Sequence, residues 1–99
     1  MPEVRFTVHW PDASVSECYS PSTVIHQHLR AGERYLLDDF LQRASTALQL
    51  ASERVRLRYG YACSSALDQL RRIETDAARF RKDGATVLVA AMRPQPDSQ

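Results

Sequence analysis

Ala51-Ser-Glu-Arg-Val-Arg-Leu-Arg-Tyr-Gly-Tyr-Ala-Cys-Ser-Ser-Ala-Leu-Asp-Gln-Leu-Arg-Arg-Ile-Glu74 decides the fold, because it reads as the end of one helix, a turn and the start of another. Gly60 supplies the residue that enters the left-handed conformation at a helix end without steric cost. Ser65 with Asp68 resembles a capping box, Asp standing for the usual Glu. Ala66, Leu70, Ile73, Ala77 and Phe80 then step by four, three, four and three, which is one buried face of a helix running to about Arg81. Arg71, Arg72, Thr75 and Arg79 fall away from that face. Upstream, Phe40, Ala44, Ala47, Leu48, Ala51 and Val55 keep a second helical stripe. Asp38 is its expected N-cap, with Asp39 complementing the dipole in the first turn. Ser52-Glu53 either interrupts this helix or lies inside one that runs to Tyr59; the sequence leaves both open.

Toward the N-terminus, Glu3-Val-Arg-Phe-Thr-Val-His-Trp10 alternates, with Val4, Phe6, Val8 and Trp10 on one face, as in a half-buried strand. Pro11-Asp12-Ala13 fits a three-residue hairpin loop that needs Ala13 in the left-handed region. That loop pairs Trp10 with Ser14, Val8 with Ser16 and Phe6 with Cys18. Cys18 then faces the core while Val15, Glu17 and Tyr19 face away; a slip of one residue would reverse this. Ser20-Pro21-Ser22 ends the second strand, and Ser22 is placed to cap a short helix through Leu29 that Ala31-Gly32 stops. Residues 33–37 read as extended or irregular. At the other end, Asp83-Gly84 turns the chain into Ala85–Met92, an apolar run typical of a central strand. The expected fold is α+β: a two-layer sandwich with a small three-stranded, mostly antiparallel sheet in β-β-α-α-α-β order and helices on one face. The last strand is expected beside the first, residues 1–93 form a single domain, and 94–99 form a disordered tail.

Ninety-nine residues suffice for one modest core, and 43% hydrophobic with 25% charged residues is the composition of a soluble globule. No apolar run approaches the ~20 residues of a membrane span. The N-terminus enters a strand without a basic leader and apolar stretch, so a cytoplasmic location is expected. A net charge of +1 gives no general attraction to nucleic acid, although twelve of the thirteen basic residues are arginine. Two cysteines in a cytoplasmic chain are expected to be reduced.

Two segments carry a resemblance: Trp10-Pro-Asp-Ala-Ser-Val-Ser-Glu-Cys-Tyr-Ser-Pro-Ser-Thr-Val24, and Ala47-Leu-Gln-Leu continued by the stretch quoted above to Glu74. Together they resemble a family of small bacterial proteins named for a nitrogen-starvation response, over roughly residues 3–81. The family hairpin usually has glycine where this chain has Ala13, a departure that bears on the turn. The resemblance implies a cytoplasmic bacterial protein encoded beside a nitrilase, a radical S-adenosylmethionine enzyme, an acetyltransferase-like protein and a flavoprotein, in a cluster for nitrogen limitation and nitrile or cyanide nitrogen use. It assigns no activity and carries over no catalytic residue.

Among residues that carry chemistry, Cys63 precedes the helix expected from Ser65. A helix N-terminus and Arg54, Arg56 or Arg58 would lower a thiol pKa there, whereas the plainer role is a small buried residue at the corner. Arg58, Tyr59, Tyr61, Cys63 and Ser64 are the candidate functional corner. Arg71, Arg72 and Arg79 are a candidate basic face, which invites a helix-turn-helix reading; Asp68, Glu74 and Asp76 among them point instead to helical ion pairs on a solvated surface, so nucleic acid is disfavoured. His26 and His28, two apart, diverge on a helix, and His9 points away from the core, so no metal site is assigned and no cofactor is expected. Trp10 is expected to be a lid on the core. The leading reading is a non-enzymatic accessory or regulatory protein that binds a partner enzyme encoded in the same cluster, with a homodimer through a sheet edge as a further possibility and no membrane partner. The alternatives are a nucleic-acid-binding regulator using the arginine-bearing helices, and a small thiol-dependent enzyme or ligand carrier using Cys63.

Overall fold

A computed structural model describes residues 3–60, 64–80 and 84–93. These residues form four strands, β1 (Val4–His9), β2 (Val15–Ser20), β3 (Arg34–Leu36) and β4 (Thr86–Arg93), and two α-helices, α1 (Leu37–Tyr59) and α2 (Ser64–Ala78). The strands make one antiparallel sheet in the order β2-β1-β4-β3. β4 therefore lies beside β1, as expected. The sheet has four strands rather than three: Arg34-Tyr-Leu36, in the segment read as extended or irregular and not counted as a strand, pairs with Leu88, Val87 and Thr86. The proposed tail, 94–99, lies outside the described residues.

The hairpin register follows from its loop. Phe6 pairs with Cys18 and Val8 with Ser16, and Trp10 N–H donates to Ser14 O at 2.9 Å. Asp12 accepts from the hydroxyl and the N–H of Ser14, which hold its carboxyl below the usual range. Ala13 has φ 71°, the left-handed conformation the loop requires. An L-residue there costs about 1–2 kcal/mol that glycine does not incur, offset in part by glycine's greater freedom when unfolded. Ala13→Gly is accordingly expected to raise stability by roughly 0.5–1 kcal/mol, read as a higher urea midpoint at constant slope.

Val4, Phe6, Val8, Cys18, Val87, Val89 and Met92 line the covered face of the sheet, packed against the buried stripes of both helices. A bulge between Thr7 and Val8 on one side and Val89 and Ala91 on the other keeps Met92 opposite Phe6 and inside. Trp10 closes one end of the core: it meets Phe40 edge-on at 5.9 Å, stacks on Phe80 at 5.8 Å, and its Nε1 donates to Ser16 Oγ at 2.8 Å. Ser16 in turn donates to Asp76 at 3.3 Å.

Local boundaries differ from expectation in identifiable ways. The short helix is a 3-10 turn, Thr23–Gln27, capped by Ser22 Oγ accepting from Val24 N–H at 3.2 Å. Thus the expected third helix is one tight turn. α1 starts at Leu37, directly out of β3, so Asp38 is not the cap; Leu36 holds that position with no side-chain bond, while Asp38 and Asp39 occupy the first turn. α1 runs unbroken through Ser52 and Glu53 to Tyr59, because Ala51, Ser52 and Val55 are all buried and hold the middle of the helix down. α2 starts at Ser64, which makes Ser65 a helical residue rather than the cap, and it ends at Ala78 rather than Arg81.

The two edges of the sheet are unlike. Along β2, Gln69 of α2 accepts the edge N–H of Tyr19 at 3.1 Å, and Asp76, one heptad further along α2, reaches Ser16. β3 offers only three residues.

Candidate functional site

The α1–α2 end is built by a helix stop. Gly60 adopts φ 78° and donates its N–H to Arg56 O at 2.8 Å, closing α1 as the sequence anticipated. The last turns of α1 carry the chain's densest run of arginine. Arg56 is committed: it forms an ion pair with Glu53, whose carboxyl is held below its usual range mainly by that hydrogen bond. Arg58 lies over the Tyr59 ring, 5.9 Å from its centroid. No carboxylate lies within ion-pairing distance of Arg54 or Arg58 among the described residues. Ser64 is the first residue of α2 and is exposed. Arg58, Tyr59 and Ser64 therefore share one end of the helical hairpin; Tyr61 and Cys63 lie outside the described residues.

This end also displays apolar surface that sequence reasoning passed over. Leu57 is 71% exposed, Tyr59 47%, Leu50 43% and Leu67 42%, four of the six large exposed hydrophobic residues among those described. Leu50 and Leu57 are seven apart and share one line along α1, off the buried stripe. Leu67 stands in the first turn of α2. The signal was available: two leucines at heptad spacing that do not coincide with the Ala47-Ala51-Val55 face.

Of the proposed basic face, Arg71 and Arg72 come together and Arg79 stands apart from them. Arg71 and Arg72 border a shallow groove of about 440 Å³ shared with Asp68 and Asp76, so its two positive charges are matched by two negative ones. The expected ion pairs between these side chains are not formed among the described residues. Arg79 lies beyond the end of α2, its guanidinium 4.9 Å from the Phe80 ring centroid, adding a minor lowering of the Asp12 carboxyl.

Cys18 is buried, and burial pushes its thiol up to about 12, with the charges of Asp76 and Glu17 adding to the shift. It is a core side chain rather than a nucleophile at neutral pH. His9 lies half-buried on the helix-free face of the sheet. His26 and His28 are half-buried in and just after the 3-10 turn. Among the described residues no three His, Cys, Asp or Glu side chains converge as metal ligands, and no helix is long and apolar enough to cross a membrane.

With the architecture and this surface in view, comparison with known proteins assigns the family. The family model described as nitrogen starvation-induced protein NitG matches residues 5–92, which takes in both helices and all four strands but for the first residue of β1 and the last of β4. The chain belongs to that family. No curated protein and no solved structure matches it.

Proposed function

We propose that this protein is a small non-enzymatic accessory or regulatory component of nitrogen-starvation and nitrile-nitrogen metabolism, and that it acts by binding a partner enzyme encoded in the same gene cluster. The observation that carries this reading is the apolar surface toward the α1–α2 end, where Leu57, Tyr59 and Leu67, with Leu50 further back along α1, are exposed beside Arg54 and Arg58, which have no carboxylate within ion-pairing distance among the described residues. Burying one such leucine against a partner contributes about 1.5–3 kcal/mol, and an arginine near an exposed leucine adds orientation by taking a carboxylate two-point. The edges of the sheet favour this end over a homodimer through added strands: Gln69 occupies the Tyr19 N–H on one edge, and the other is three residues long.

The test is co-expression of the tagged chain with each cluster-encoded enzyme. A stoichiometric complex with one of them is expected, and Leu57→Glu is expected to weaken it at least about tenfold without lowering the melting temperature, since an exposed side chain contributes little to the fold. A chain that stays unattached in the presence of every such enzyme ends this proposal.

A further inference from the structure

Away from the helical hairpin, on the helix-free face, the sheet is notched. β1 pairs with β4 only as far as His9 opposite Leu88, after which Pro11 carries the chain into the hairpin loop. β4 itself extends further back, to Thr86 opposite Leu36 of β3. The carbonyls of Ala85 and Val89 accept from Leu37 and Gly32, on the β3 side. Backbone polarity alternates along a strand, so the N–H and C=O of Thr86 and Leu88 face β1. Leu88 meets His9 there. Thr86 meets no β1 residue, and Pro11 brings no N–H of its own.

A cleft of about 410 Å³ opens over this notch, between the hairpin loop and β3. Its chemistry is mixed in a specific way. His9, Leu88 and Arg34 lie side by side in cross-strand register on the same face, so an imidazole and a guanidinium flank an aliphatic floor. Arg34 is exposed, and no carboxylate among the described residues lies within ion-pairing distance of it. Pro11 and Ala13 supply a further apolar wall.

The geometry points to a binding site for a small organic carboxylate. The planar fork of Arg34 matches a carboxylate two-point, His9 and the Thr86 hydroxyl and N–H are the donors beside it, and Leu88 with Pro11 covers an apolar body. Among the described residues the cleft has one guanidinium and a half-apolar lining; these suit a carboxylate with a hydrocarbon body better than inorganic phosphate, which gains from several converging cations. This site is separate from the α1–α2 end and does not depend on the reading proposed for it.

The experiment is a two-dimensional amide NMR titration of the intact chain with benzoate, and separately with inorganic phosphate, at ionic strength held constant with chloride. Saturable shifts centred on His9, Arg34, Thr86 and Leu88 are expected with benzoate, with a Kd of about 1 mM given how open the cleft is. Arg34→Gln is expected to weaken binding at least about tenfold with the rest of the spectrum unchanged, whereas Arg5→Gln, on the same face outside the cleft, leaves it as it was. Shifts that rise linearly without saturating, an Arg34→Gln chain that binds as the parent does, or phosphate binding as tightly as benzoate would each overturn the assignment.

Discussion

Trp10→Ala is expected to be among the most damaging single substitutions in this chain, costing about 3–5 kcal/mol of stability. Small domains hold about 5–15 kcal/mol in total, so the variant would approach the unfolding threshold at physiological temperature. The reason is position as much as size. Trp10 directly follows β1, stacks on Phe80 just after α2, meets Phe40 of α1 edge-on and donates to Ser16 of β2, so its removal opens a void at the junction of both layers. Trp10→Phe separates the two contributions: it keeps an aromatic body but loses the indole donor, and a loss of roughly 1–2 kcal/mol is expected. Urea unfolding followed by far-ultraviolet circular dichroism is the right measurement, since the fluorescent residue itself is changed. A loss under about 1 kcal/mol for the alanine variant would show that Trp10 is not the closing member of the core.

The second large effect is on alkaline stability and belongs to Cys18. Its thiol ionises at about 12 in the native chain against a usual 9.0, first because it is buried and then because Asp76 and Glu17 oppose a second negative charge nearby. A group whose native pKa is raised contributes its stability in full below the unfolded value. Above pH 9.0 the unfolded chain releases this proton and the native chain keeps it, so stability falls with rising pH until about 12. The slope reaches about 1.4 kcal/mol per pH unit. The check is to compare Cys18→Ala with its parent, both carrying Cys63→Ser so that one thiol alone is read, over that alkaline range. The alanine variant should be the less stable at neutral pH and should close the gap as pH rises; parallel curves would sink the explanation. The same burial predicts that Cys18 is alkylated at neutral pH only as fast as the chain opens.

Different elements were legible in the sequence for different physical reasons. The hairpin was readable to the residue, because a three-residue loop fixes which residues oppose one another and side chains alternate with a period of two. Trp10, Phe6 and Cys18 are thereby placed inside by the sequence alone. Both buried helical stripes were readable from the spacing of Phe40 to Val55 and Ala66 to Ala77. β3 was not. Three residues are too few to show alternation, Leu36 is exposed despite being apolar, and the strand's existence depends on β4, fifty residues later. The start of α1 was misplaced for the same reason: β3 runs straight into it, so no capping side chain marks the boundary and Asp38 drew the reading two residues onward. At the candidate site the arginines were conspicuous and Leu57 was not. Charge identifies itself in a sequence, whereas an exposed leucine looks like a core residue until the helix face it occupies is known.

The bond from Tyr19 N–H to Gln69 has a bearing on how concentrated solutions of this protein age. An uncovered strand is a template on which another chain can add itself, and the growth repeats into fibrils. Here the long outer strand is shielded by a helix rather than by its own sequence, and Val15, exposed near its end, would be an adhesive side chain once that shield lifts. Opening of α2 alone, a smaller excursion than unfolding the molecule, is enough to lift it. The lag before such growth is therefore set by how firmly one helix is held down, and two proteins of this family with equal melting temperatures can differ widely in shelf life.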